Sequence, residues 1–385
     1  MKEIWLIYSS EKGGHKYPAS ALAKYLKKEH PPLKPIVINL FRISRTLAFF
    51  DRIGRFGDLR LRFLWRASGK RLAEKKTLFP HLYRGILKLI IGLSHSKNFL
   101  LKKNRPALII SFQPELNICA PFFKRWFSCP FYSVVIDLLI HHLWVEKDVD
   151  RYYVPNEYVQ EDLEKWGVPK EKIIIAGLPL REGFQKVKEE MSPEIKRKWQ
   201  IPPDKPCLLL IGGLLGKMLN FDEVLQSLRK TKEKLSLILV CGENRQKRIA
   251  GEKLAHSLSS QSLTIISLGR VEEIYELMAI ADIIITKPSS GTISEACALG
   301  KPLLLIPPAG GAYQDIRFAY FLKSIGAGIW VKEEKRVGEI VEKILKNREL
   351  FTNLRENAQK FGARNLSANK IIAESLMADY RLGRF

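Results

Sequence analysis

The sequence predicts an α/β protein built of two doubly wound parallel sheets, and three observations carry that prediction. Twelve short apolar runs alternate with helical patterns: residues 4–8, 36–39, 107–111, 131–136, 151–154 and 173–176, then 207–211, 235–241, 264–268, 282–286, 302–306 and 328–331. Strands that are apolar throughout are buried on both faces, which is the condition of a parallel sheet covered by helices. At 385 residues the chain is longer than one core ordinarily holds. Its strands divide at Gly177-Leu178-Pro179-Leu180-Arg181, where a Gly/Pro turn gives way to a charged helical stretch over 186–198. Residues 354–385 have helical patterning and no further strand, and are expected to pack back across the interface between the halves.

Composition narrows the class. With 46% hydrophobic and 27% charged residues the chain is globular, and its longest apolar runs, 107–110 and 208–215, are too short for a spanning helix. The opening Lys2-Glu3-Ile4-Trp5-Leu6-Ile7-Tyr8 reads as a first strand rather than a secretion signal. Five cysteines, odd in number and never spaced as metal-ligand pairs, point to a reduced, cytoplasmic protein. Net charge is +24, of which +18 falls within residues 1–105. So localised a field attracts an anionic surface.

Residues 41–103 interrupt the strand alternation with aromatic, aliphatic and basic residues. If 51–67 is helical, Arg52, Arg55, Arg62 and Arg66 fall within about a quarter turn, beside Ile53, Phe56, Phe63 and Leu64, with Trp65 in the same stretch. Cations next to bulky apolar groups fit the anionic surface of a membrane. A solvated helical insertion is the plainer alternative. No zinc-finger spacing or RNA-binding aromatic signature favours nucleic acid, which is not expected as a partner.

Four places carry chemistry. After the first strand, Gly13-Gly14-His15 puts a sharp turn and an imidazole at a helix N-terminus, where the positive helix end favours the neutral, proton-accepting ring. After the fourth strand come Asp137, His141 and Trp144, a carboxylate, an imidazole and an indole able to orient a hydroxyl for attack. A turn Asp and a structural Trp would read the same. Gly212-Gly213 is a second glycine-rich turn after a strand. Most specific is Lys287-Pro288-Ser289-Ser290-Gly291-Thr292-Ile293-Ser294-Glu295, whose small-residue loop at a helix start offers amides to a pyrophosphate, while Glu295, a turn later, can accept from a ribose diol.

Gly13-Gly14-His15 with Pro18-Ala19, and Ile285-Thr286-Lys287-Pro288 with Thr292-Ile293-Ser294-Glu295-Ala296, resemble the motifs of inverting nucleotide-sugar glycosyltransferases. Those enzymes have the GT-B architecture: two facing Rossmann-like domains with a cleft between them. Asp137, His141, Trp144, the Asp150-Arg151-Tyr152-Tyr153-Val154-Pro155 run, Gly167-Val168-Pro169 and the Gly177 to Arg181 segment are similar to the monogalactosyl- and monoglucosyl-diacylglycerol synthases. The peptidoglycan MurG transferase is a more distant likeness.

The resemblance implies three regions: an acceptor- and membrane-binding domain over 1–180, a nucleotide-sugar domain over 181–353, and the helical segment 354–385. It implies a UDP-sugar donor, with glucose or galactose, and a diacylglycerol-type lipid acceptor, on an enzyme peripheral to the inner face of the cell membrane. The turn at Ser289, Ser290, Gly291 and Thr292 holds phosphate; Glu295 binds ribose; the backbone near Val271 reads uracil; Gln314 and Asp315 hold sugar hydroxyls; Gly213 is a further donor-binding residue. His15 or Asp137, with His141 nearby, is the base; Gly14 and Trp144 lie on the acceptor side. No metal or other cofactor is expected. Ser289-Ser290 replaces the usual Gly-Gly, Tyr313 the usual Gly, and Phe318 the usual Asn, which points to altered loop geometry or a changed donor preference. A polyprenyl-linked acceptor, a nucleotide-sugar epimerase and a non-catalytic membrane protein are the alternatives.

Overall fold

A computed structural model describes residues 1–9, 13–40, 85, 105–212, 221–307 and 313–385. They form two compact units, Met1–Arg181 with Arg364–Phe385, and Glu182–Ala363. Each contains one six-stranded sheet.

In the first unit the strands β1 (Lys2–Tyr8), β2 (Leu33–Asn39), β3 (Leu108–Ser111), β4 (Phe131–Val134), β5 (Arg151–Val154) and β6 (Ile173–Ile175) are ordered β2-β1-β3-β4-β5-β6, all parallel. Residues Ile4 to Ile7 and Leu108 to Ile110 are fully buried or nearly so, as their unbroken apolar pattern requires. The chain moves outward from β1 to β2 through helix α1 (Gly13–Glu29) and then returns to β1's other side as β3, which leads into the short helix α2 (Pro114–Asn117). The connections after β1 and β3 therefore leave in opposite directions, which makes their carboxyl ends the ligand-binding crevice of such a sheet.

The second unit repeats the plan with β7 (Cys207–Ile211), β8 (Leu235–Val240), β9 (Leu263–Leu268), β10 (Ile283–Thr286), β11 (Leu303–Leu305) and β12 (Gly328–Trp330), ordered β12-β11-β10-β7-β8-β9 and again parallel. Its crevice lies between β7 and β10. Helix α3 (Ser290–Ala298) follows β10 and helix α4 (Tyr313–Ser324) follows β11. Helix α5 (Arg348–Gly362) packs on α3 so closely that a Cβ at Gly362 would stand 2.2 Å from the Cys297 backbone.

After α5 the chain re-enters the first unit as helix α6 (Ala368–Arg381). Residues 354–385, expected as one segment, are thus divided, because Leu354 belongs to the core of the second unit while Asp379 is buried against β4 and β5. Leu178 N donates to Asn365 Oδ1 at 2.8 Å and Asn369 Nδ2 to Leu180 O at 2.8 Å, fixing the strand exit at 177–181. Gly177 has φ +85°, and a Cβ there would meet the Arg364 backbone at 2.9 Å, so both its conformation and its neighbour demand glycine.

Candidate active site

In the first unit the crevice is closed by side-chain bonds across β1 and β3. His15, in the first turn of α1, places Nδ1 2.8 Å from the carbonyl oxygen of Phe112. A carbonyl only accepts, so Nδ1 carries the proton, and in the neutral ring Nε2 holds the lone pair. Ser9 donates its backbone N–H and its hydroxyl to Gln113 Oε1, both at 2.9 Å, which ties the end of β1 to the loop after β3. Gly14 is exposed, and a Cβ there meets nothing within 4 Å, so the turn before the imidazole is open.

Asp137 lies three residues beyond the end of β4, and its Oδ2 accepts from the Trp144 indole at 3.0 Å. Trp144 itself is fully buried, in a 3-10 turn over His142–Trp144 that packs against α2. Expected on the acceptor side, it presents no exposed surface in this structure, and its indole N–H is directed to the Asp137 carboxylate. His141 caps that turn and is half-buried, and the His142 ring meets that of Trp166 at a tilt of 55°, with centres 5.4 Å apart. Arg181 sets its guanidinium 5.2 Å from the centre of the Tyr17 ring, so the 177–181 exit also touches α1.

In the second unit Thr286 at the end of β10 donates its hydroxyl to the Ile211 carbonyl at 3.3 Å, joining the two strands at the crevice. Three residues later Ser289 caps α3 in extended conformation, but its hydroxyl goes to Thr292 Oγ1 at 3.1 Å rather than to an amide of the first turn. The first intrahelical bond is Ile293 N to Ser289 O at 2.9 Å, so the amides of Ser290, Gly291 and Thr292 lie ahead of it at the positive helix end. Gly291 is exposed and bare of neighbours, which leaves the approach to those amides open. Glu295 is half-buried one turn along the same helix. Gln314 and Asp315 occupy the first turn of α4, the helix that follows β11 and packs on β12. Val271 is in the loop between β9 and the helix over Ile274–Ile280.

The monogalactosyldiacylglycerol synthase family model matches residues 94–180, and that of glycosyl transferases group 1 matches residues 191–361. A processive diacylglycerol β-glucosyltransferase of Bacillus licheniformis is 33% identical over 271 residues, 70% of this chain and 68% of that protein. Its counterpart in Bacillus subtilis is 31% identical over 284 residues, 73% and 71% of the two chains. The chain belongs to the diacylglycerol glycosyltransferase family. This glycosyltransferase has the GT-B fold, as its likeness to Acinetobacter baumannii MurG shows, with TM-score 0.62 at 16% identity over 98% of this chain and 100% of that one. The UDP complex of S. aureus MnaA is similar to the same degree, with TM-score 0.61 and 16% identity over 100% and 98%. At such identity these two likenesses are of fold alone.

In this transferase, then, His15 and Asp137 follow β1 and β4 of one sheet, while Ser289 to Thr292 and Glu295 lie at and in the helix after β10, and Gln314 and Asp315 in the helix after β11, of the other. Gly213, Arg52, Arg55, Phe56, Arg62, Phe63, Trp65 and Arg66 lie outside the described residues. Phe318, one of the positions that depart from the family pattern, is 3% exposed. Sequence reasoning missed Ser9, Phe112, Gln113 and Asn117. Phe112 acts through its carbonyl, which no side-chain motif reveals, and the others form pairs remote in sequence. Among the described residues no helix is long and apolar enough to cross a membrane.

Proposed function

We propose that the enzyme transfers glucose or galactose from a UDP-sugar to the free hydroxyl of diacylglycerol with inversion at the anomeric carbon. The observation that carries the reading is the His15–Phe112 bond, which fixes the tautomer whose Nε2 accepts a proton. The acceptor hydroxyl gives its proton to Nε2 as its oxygen bonds to the anomeric carbon. The bond from that carbon to phosphate breaks, and its electron pair leaves on the diphosphate. The Ser290 to Thr292 amides and the dipole of α3 face that growing charge, so no metal ion is needed to neutralise it. Asp137 is the second candidate, with one carboxylate oxygen already engaged by the Trp144 indole N–H at 3.0 Å. Displacement from the face opposite an α-linked nucleotide gives a β product, in accord with the relatives' name, β-glucosyltransferase.

The basic residues of the 41–103 stretch are proposed to draw the protein to the anionic inner face of the cell membrane, where diacylglycerol resides. Liposome flotation tests this: binding to anionic vesicles that weakens at high salt is expected, and equal binding to neutral vesicles contradicts it.

The deciding experiment incubates the protein with diacylglycerol in anionic liposomes and a panel of UDP-sugars, followed by mass analysis of the lipid. Hexosyl-diacylglycerol formed in the presence of chelator is the expected result. Intact UDP binding without any glycolipid shifts the acceptor to a polyprenyl-linked lipid, and an absolute need for a divalent ion overturns the metal-free route.

A further inference from the structure

We infer that Asn117 is a positioning residue for the transfer, the middle of a brace that holds both acid-base candidates of the first unit. It lies in α2, a helix of four residues, and is completely buried. Its Nδ2 donates to the Trp144 carbonyl at 2.9 Å and to Ser133 Oγ at 3.0 Å. The amide orientation follows from the partners: the Trp144 carbonyl only accepts, so nitrogen must face it. Both amide protons are thereby used, while Oδ1 is buried with no hydrogen-bond partner. An orphaned buried oxygen is unfavourable, and an apolar side chain would avoid it. What the amide supplies in return is a fixed link between three elements, β4 through Ser133, α2 itself, and the 3-10 turn through Trp144.

Both ends of that link reach a candidate base. Trp144 continues through its indole to Asp137 Oδ2 at 3.0 Å. Upstream of Asn117 in the same six residues, the Phe112 carbonyl holds His15 Nδ1 at 2.8 Å, and Gln113 holds Ser9 at the end of β1. Asn117 N–H bonds back to the Gln113 carbonyl at 3.3 Å, so the segment is also tied along its own backbone. A shift of α2 is passed to the imidazole on one side and to the carboxylate on the other. Displacing reacting groups by about 1 Å costs rate on the order of a hundredfold without disturbing binding elsewhere.

The inference rests on the proposed transfer, with the donor bound by the second unit. Asn117→Ala is expected to lower kcat with saturating UDP-sugar by about tenfold or more while leaving the KM for UDP-sugar unchanged. The Trp144 Nε1–H resonance, assigned with Trp144→Phe, is expected to move upfield as its bond to Asp137 loosens. Ser133→Ala, which removes one anchor and keeps Asn117, is expected to shift both readouts in the same direction by less, and it carries the test if Asn117→Ala fails to fold. A folded variant with kcat within about twofold of the parent and an unmoved Trp144 resonance overturns the brace, as does a kcat loss matched by a rise in donor KM. Absence of glycolipid from the unsubstituted enzyme strikes instead at the proposed reaction, and the resonance alone then decides the brace.

Discussion

His15 Nδ1 and the Phe112 carbonyl oxygen stand 2.8 Å apart, bridging the ends of two adjacent strands that launch helices in opposite directions. The bond assigns a tautomer, so a side chain that keeps the donor and lacks the basic nitrogen separates the two roles. His15→Asn offers an amide N–H to Phe112 and has no base. Its turnover is expected to fall by about 100- to 10,000-fold, with UDP affinity by calorimetry and the unfolding midpoint close to those of the parent. Retention of turnover would transfer the base to Asp137.

The donor side calls for a different pair of substitutions. A Cβ at Gly291 meets nothing within 4 Å, and the residue is helical, so Gly291→Ala is expected to leave stability equal or raise it by up to about 1 kcal/mol. The same methyl stands at the mouth of the amide turn and is expected to weaken UDP. Glu295→Ala, removing an acceptor one turn later, is expected to weaken UDP by about 10- to 100-fold. Undiminished UDP affinity in both variants would place the diphosphate elsewhere.

What could be read from the sequence follows from how local each signal is. The central strands of both sheets appear as apolar runs because they are buried on both faces, the edge strand β2 is legible only by its Ile36 to Ile38 run since parts of it are exposed, and the Ser289 to Thr292 turn appears because its small residues are contiguous. The burial of Trp144 was not legible, because its partners Asn117 and Asp137 are contacts that no local pattern reports. The C-terminal division was illegible for a related reason. Asp379 finds its partners at Tyr132 and Arg151, more than 220 residues away, and no periodicity reports such a pairing.

Packing within the second unit makes its own prediction. Helix α3, which carries the proposed phosphate turn, is held by α5 at a crossing where Gly362 meets the backbone of Cys297 and Ala298. Backbone cannot rotate away as a side chain can, so Gly362→Ala forces the helices apart and is expected to destabilise by at least 1 to 3 kcal/mol, in rough terms. UDP affinity should fall with it, since the turn moves with its helix. A thermal melt that matches the parent, together with parental UDP affinity, would show that the crossing has slack.

The buried cluster around Asp379 predicts how the first unit fails. Asp379 is 1% exposed and accepts from Tyr132 Oη at 2.8 Å and Arg384 at 2.8 Å, as well as from Arg151. Tyr153 joins through Ser375 on the same helix, its hydroxyl donating at 3.0 Å. Burial, and next the bond to Asp379, push the Tyr132 phenol well above its ordinary 10.0, and burial raises Tyr153 to about 12. Because each phenol keeps its proton longer folded than unfolded, its contribution is complete below pH 10.0 and is lost as pH climbs toward 12 and beyond. Stability to urea is therefore expected to show no pH dependence from these groups near neutral pH and to drop steeply above pH 10, with α6 leaving the sheet. Asp379→Ala leaves Arg151 largely buried without its carboxylate and is expected to destabilise by about 3 to 5 kcal/mol at neutral pH. Absorbance titration of the folded protein checks the cause directly: Tyr132 and Tyr153 should resist ionisation until the protein unfolds, and the Tyr132→Phe and Tyr153→Phe variants should each lose one such late-titrating group. If every tyrosine ionised near its ordinary value in the native state, the cluster would not be sealed as described.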